Sequence, residues 1–146
     1  MNDFLNILGL LIATGVGMGC GSYATMPYYR LPNNIPCGGK WTGKPSACPS
    51  CGAKLRTRDL FPVLNWLWTK GKCYKCQDIV NPVYFFIEFS CTLLSIILYM
   101  KFGFDQMYII TMGLAVCLII ITATQYSYQV IPNAVLIVII MFGFLY

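Results

Sequence analysis

The chain has 146 residues, of which 58% are hydrophobic and only 10% charged, with a mean hydropathy of +0.66 and a net charge of +5. A soluble domain usually carries about 25% charged residues, so the composition excludes both a disordered chain and an ordinary soluble globule. The charge is concentrated: nine bases (Arg30, Lys40, Lys44, Lys54, Arg56, Arg58, Lys70, Lys72 and Lys75) stand against Asp59 and Asp78, net +7, whereas Lys101 against Asp3, Glu88 and Asp105 leaves the remainder at −2.

The first apolar stretch runs from about Phe4 to Met26, long enough as a helix to cross a hydrocarbon core of roughly 30 Å. Only Asp3 and the chain's amine precede it and the bases follow it, the reverse of a secretory signal, so a retained membrane helix is expected. Within it Gly15, Gly17, Gly19 and Gly21 form two overlapping small-xxx-small pairs, 15 with 19 and 17 with 21, that allow another helix to approach closely. No strand precedes these glycines, which argues against a dinucleotide-binding turn.

The basic stretch follows, and it carries two Cys-x-x-Cys pairs, Cys48-Pro-Ser-Cys51 and Cys73-Tyr-Lys-Cys76, separated by 21 residues. Each pair turns two thiolates to one side of a tight knuckle, and two knuckles supply four soft ligands for a tetrahedral ion. Structural Zn2+ held by Cys48, Cys51, Cys73 and Cys76 is therefore expected, with Lys54, Arg56, Lys72 and Lys75 placed to offset the charge of the thiolates. A closed four-ligand site has no open position for a substrate, so such a metal holds the loop together and performs no chemistry. Of the other four cysteines, Cys20, Cys91 and Cys117 lie inside apolar stretches and read as small hydrophobes, and Cys37 has no partner spacing. A basic loop bearing Trp41, Trp66, Trp68 and Tyr74 suggests nucleic-acid binding, but topology and anionic lipid already explain its charge, and no nucleic acid is expected as a partner.

Two further apolar stretches, Val83 to Met100 and Met107 to Thr124, are joined by a short segment from Lys101 to Gln106, which predicts an antiparallel helical hairpin. The link Gln125 to Ile131 leads to a fourth apolar segment after Pro132 that is short of a full span. The positive-inside rule puts the basic loop in the cytoplasm, where a reducing environment keeps its cysteines as thiols or metal ligands. The expected fold is an all-α polytopic membrane protein. It has three to four transmembrane helices and a small zinc-ribbon-like cytoplasmic insert between the first two. The expected divisions are 1–29 for the first helix, 30–81 for the loop with the two cysteine pairs and 82–146 for the remaining helices, the fourth incomplete.

Several segments in order resemble one family. Gly21-Ser22-Tyr23 with Arg30-Leu31-Pro32, Ser46 to Cys51, Asp59-Leu-Phe-Pro62, Asn65-Trp66-Leu67, Gly71 to Cys76, and Tyr84 to Glu88 are similar to the bacterial type IV prepilin leader peptidases. The resemblance covers residues 15 to 133. It implies a multi-pass enzyme of the bacterial cytoplasmic membrane that cleaves leaders from prepilins and pseudopilins and N-methylates the new amino terminus with S-adenosylmethionine. It also ties the cysteine loop to the methylation. Cleavage in this family needs two aspartates, one ionised and one protonated, which close approach of like charges arranges.

The first family aspartate lies seven residues before the proline of an Ile/Leu-Pro-Asp/Asn motif. Here Ile131-Pro132-Asn133 matches that motif and the position holds Gln125, a carboxamide that cannot act as a general base. The second aspartate belongs to a Gly-x-Gly-Asp segment further along the family's chains. No catalytic residue is therefore assigned, and the expectation is an incomplete or degenerate copy unable to cleave alone. A second chain supplying the missing half, or retained methylation without proteolysis, is compatible with this. The alternative is a non-catalytic membrane adaptor of a pilus or type II secretion system. Glu88, the acid within a span, reads as a polar site or helix-packing residue.

Overall fold

The computed structural model describes residues 2–35, 48, 50–53 and 69–145, with the backbone alone at 2, 3 and 145. Among the described residues the structure is helical: α1 (Asn2–Arg30), α2 (Val83–Phe102), α3 (Gln106–Tyr128) and α4 (Asn133–Leu145). The first three are long and apolar enough to cross a membrane, and α4, at 13 residues, is a shorter apolar helix. The expected spans hold, with α1 and α3 each running about one turn further than their apolar cores. Gln125 is thus part of α3 and not of the following link; Gln129, in a left-handed conformation, ends the helix by donating its N–H to the Gln125 carbonyl at 3.1 Å.

Local chemistry sets the other boundaries. At the start of α2, Asn81 accepts the Val83 N–H at 3.0 Å through its side chain, and Pro82 stands where a missing N–H is harmless. The hairpin turn between α2 and α3 is three residues, Gly103 to Asp105, and Gly103 closes α2 by donating to the Tyr99 carbonyl at 2.8 Å.

The exterior of this bundle is apolar. Phe4, Leu11, Ile109, Leu118 and Ile140 are all more than half exposed, while the interior includes buried Ser95, Thr124 and Glu88. That inversion suits lipid, which offers no drive to hide leucine but penalises any polar group without a partner. The chain is a membrane protein on this composition and helix length.

Helix α1 meets the antiparallel α2 along one stripe: Gly9, Ala13, Gly17, Gly21, Ala24 and Tyr28 are buried at helical spacing. A Cβ on Gly17 would lie 2.6 Å from the Thr92 Cα, and one on Gly21 would lie 2.8 Å from the Glu88 Cα. The two backbones therefore touch where side chains are missing. Gly15 and Gly19 point away, with nothing within 4 Å, so of the two expected small-residue pairs only 17 with 21 packs against a helix among the described residues. The reason is geometric: the two pairs lie on opposite sides of α1, and α2 covers one side.

Hydrogen bonds between helices close both ends of the stripe. Near one end, buried Ser95 of α2 donates to the Ala13 carbonyl of α1 at 2.7 Å and pairs with the Tyr108 hydroxyl of α3 at 2.7 Å. A serine hydroxyl has one hydrogen, so Tyr108 is the donor in the second bond. Near the other end, Tyr28 of α1 donates to the Ser127 hydroxyl of α3 at 2.9 Å, and its ring packs edge-on against Tyr84 of α2 at 5.3 Å and against Tyr128 at 5.6 Å. Between these ends, Ile87, Cys91, Met112, Cys117, Ile120 and Val135 fill the core. Cys91 and Cys117 are buried and Cys20 is packed against the core, in keeping with their reading as hydrophobes.

Candidate functional site

The two Cys-x-x-Cys segments fold into the same turn. In the first, the Gly52 N–H donates to the Cys48 carbonyl at 2.9 Å and the Cys48 N–H to the Ala53 carbonyl at 2.9 Å; in the second, Gln77 donates to Cys73 at 3.0 Å and Cys73 to Asp78 at 2.9 Å. The residue after the second cysteine has positive φ in both, +67° at Gly52 and +59° at Gln77. Glycine adopts this region freely, whereas Gln77 does so against the clash of its Cβ with the backbone. An antiparallel bridge between Lys72 and Ile79 closes the neck of the second turn.

These turns bring the four thiols face to face. Cys48 Sγ lies 3.8 Å from Cys76 Sγ, Cys51 Sγ lies 3.9 Å from Cys73 Sγ, and all four sulfurs fall within 4.8 Å of one another. A tetrahedron of sulfurs around zinc, with bonds of about 2.3 Å, has edges of about 3.8 Å. The donor set thus fits one tetrahedral ion and is compatible with zinc.

The thiols differ in readiness. Cys73 is held down at about 6 by the backbone N–H groups of Cys76 and Lys75, the latter 3.5 Å from its sulfur. Cys76 receives the Asp78 N–H, which favours its thiolate, yet desolvation and the sulfurs of Cys51, Cys73 and Cys48 push it up to about 12. Bringing four sulfurs together thus resists ionisation of the last of them, the condition that a cation relieves. Lys72 and Lys75 are near the cluster in sequence, and Lys75 is exposed. Lys40, Lys44, Lys54, Arg56, Arg58, Cys37, Asp59 and the tryptophans Trp41, Trp66 and Trp68 lie outside the described residues.

Asp78, in sequence one acid among the bases of the loop, bridges the two knuckles. Its carboxylate accepts the Ser50 hydroxyl from the other knuckle and, through Oδ1, the Ile79 N–H at 2.9 Å, and these bonds hold its carboxyl below the usual carboxylate range. Nothing in the sequence says that residue 50 meets residue 78.

Glu88 and Gln125 have contrasting surroundings. Glu88 is 7% exposed, on the stretch of α2 that backs onto Gly21 and one turn from Tyr84. Gln125 is exposed in the last turn of α3, whose neighbours Tyr28, Tyr84, Ser127 and Tyr128 form the polar ring cluster described above. No local pattern in the sequence signals that cluster, because it joins three tyrosines more than forty positions apart along the chain.

A family profile described as Bacterial Peptidase A24 N-terminal domain matches residues 16–102, more than half of the chain. The chain is similar to the prepilin leader peptidase/N-methyltransferase of Bacillus subtilis (strain 168), 29% identical over 142 residues that cover 97% of this chain and 52% of the relative. The protein of the same name from Vibrio cholerae is 26% identical, with coverage of 94% and 56%, and that from Pseudomonas putida 25% identical, with coverage of 88% and 51%. The chain spans about half the length of the curated relatives it matches. No solved structure gives a significant match. The matched segment takes in the second half of α1, both cysteine pairs and all of α2, the parts that the geometry joins, and the chain belongs to the bacterial peptidase A24 N-terminal domain family.

Proposed function

We propose that this chain is the zinc-bearing, pilin-facing part of a prepilin leader peptidase/N-methyltransferase system in the bacterial cytoplasmic membrane. The cysteine knuckles lie on the cytoplasmic side, and the substrates are prepilins or pseudopilins. The observation that carries the reading is the coincidence of the family match with four sulfurs spaced for a tetrahedral metal between the first two membrane helices. Zinc held by Cys48, Cys51, Cys73 and Cys76 locks two distant chain segments; with four protein ligands it has no place for water or substrate, so its role is structural.

Leader cleavage by these 146 residues alone is not expected, because Gln125 stands where the family has its first aspartate and a carboxamide neither takes nor shares a proton near neutral pH. N-methylation makes a different demand, a bound S-adenosylmethionine and an uncharged amine, and does not need that aspartate. Glu88, buried where α1 and α2 touch, is an acid within the bundle, one turn along α2 from the Tyr84 that packs on Tyr28.

Co-expression of the chain with a candidate prepilin, followed by mass spectrometry of the pilin amino terminus, reads the two reactions separately. The expected result is an uncleaved leader, with the chain recovered bound to the precursor. Cleavage by the chain alone overturns the proposal for Gln125. If cleavage occurs and disappears in Glu88→Gln, Glu88 serves as a catalytic acid and the expectation of no cleavage is overturned. A membrane adaptor is favoured if the precursor is held but neither reaction is restored by any co-expressed partner.

A further inference from the structure

We infer that Asp78 and Ser50 form a latch between the two cysteine knuckles, which holds the four sulfurs in register for the metal. This rests on the metal reading above. Each knuckle is closed by its own backbone bonds, so each Cys pair is preformed, but those bonds do nothing to place one pair against the other. A hydrogen bond across the gap does: the Ser50 hydroxyl, from between Cys48 and Cys51, donates to Asp78 Oδ2. Asp78 is itself fixed, since its carbonyl receives the Cys73 N–H at 2.9 Å and its Oδ1 receives the Ile79 N–H at 2.9 Å. A residue anchored on the second knuckle through both its backbone carbonyl and its carboxylate thus grips the middle of the first.

The two knuckles are equivalent in backbone bonding but not here. Asp78 occupies the place that Ala53 holds in the first turn, and Ser50 the place of Lys75 in the second, so one crossing bond is made and no counterpart runs the other way. Asp78 touches no sulfur through its side chain; it is a positioning residue that acts through Ser50. Its charge works against the metal site, because four thiolates around zinc carry a net charge of about −2 and a nearby carboxylate repels it. The latch must therefore act through geometry, which fixes the sign of the test. A charge effect predicts tighter metal binding when Asp78 is neutralised, and a latch predicts looser binding.

The experiment uses the full chain in detergent, loaded with Co2+ to read tetrahedral thiolate ligation from its absorption and with Zn2+ to time release to a competing chelator. Wild type takes up one Co2+ with the spectrum of a sulfur tetrahedron. Asp78→Ala and Ser50→Ala each release Zn2+ about tenfold faster; the double variant is no faster than either single one, because each change breaks the same bond. Ser50→Thr keeps the hydroxyl and the wild-type rate. If Asp78→Ala is poorly produced, the Ser50→Ala and Ser50→Thr pair decides alone. Failure of wild type to take up Co2+ overturns both the metal reading and the latch. Uptake with unchanged release in Ser50→Ala, or slower release in Asp78→Ala, overturns the latch and leaves the metal reading standing.

Discussion

In the bundle, α1 and α2 approach most closely where side chains are absent, with the Gly17 and Gly21 positions directly against the backbone of α2. In the knuckle pair, the chain segments meet where side chains carry ligands, and the sulfurs themselves are the points of approach. The two regions meet the same need, joining parts of the chain far apart in sequence, in different solvents. Lipid gives no reward for covering an apolar surface, so tight van der Waals fit and hydrogen bonds such as Ser95 to Ala13 hold the helices. The knuckles are too small to enclose a core, and water competes for every hydrogen bond, so four sulfurs spaced for one metal ion are the means of joining that we propose. Each region should therefore fail by its own route and leave the other standing.

The largest effect is expected at the metal. Cys73→Ser should abolish stoichiometric zinc, read by elemental analysis of the purified protein. The knuckle pair should come apart with it, since structural zinc contributes roughly 10–16 kcal/mol in small domains. The helix content measured by circular dichroism should hardly change.

Acidification works in the same direction, because each thiol that regains its proton withdraws a ligand. A thiolate favoured in the folded site stabilises it above the ordinary thiol range and is lost as the pH falls through the lowered value, about 6 for Cys73. At pH 7 the Cys73 proton is already largely gone and the Cys76 proton, held to about 12, is still present. Titration of metal in buffers of different ionisation enthalpy should therefore show fewer than four protons released per ion, with metal affinity falling as pH is lowered.

The bundle is tested by Gly17→Leu. Its Cβ would meet the Thr92 Cα and Ser95 Cβ at 2.6 and 2.8 Å, and backbone cannot swing aside as a side-chain tip can. Overpacking of this kind costs roughly 1–3 kcal/mol or more, measured as earlier loss of helix on heating in detergent, with zinc content retained. Gly19→Leu, into open space, should change stability little. Equal losses from both would mean that the unoccupied face of α1 is also packed.

The smallest effect has the opposite sign. Gln77→Gly relieves a left-handed non-glycine residue at the place where the first knuckle already has Gly52. It should stabilise the pair by roughly 0.5–1 kcal/mol, seen as slower release of zinc to a chelator. Faster release would mean that the Gln77 side chain contributes more than its backbone strain costs.

The sequence was most informative where the chemistry is local. Two Cys-x-x-Cys pairs announce their turns, because two thiols at that spacing share one side of a knuckle whatever the rest of the chain does. Apolar runs too long for any soluble helix announced α1, α2 and α3, and the short segment from Lys101 to Gln106 between two of them could only be a tight turn. The family could be read from the same short segments, Gly71 to Cys76 and Tyr84 to Glu88 among them.

Tertiary structure decided which side of each element faces inward. Four glycines at alternate positions in α1 were equal candidates in sequence, and α2 selects Gly17 and Gly21 because it can cover one side of the helix only. Asp78 looked like one acid in a basic loop until the fold set Ser50 against it, and Tyr28, Tyr84 and Tyr128 had no visible relation until three helix ends came together. Turns and spans follow from hydrogen-bonding and solvation needs confined to a few neighbouring residues. A contact such as Ser50 with Asp78 depends on the path of everything between them, and no local pattern of residues encodes it.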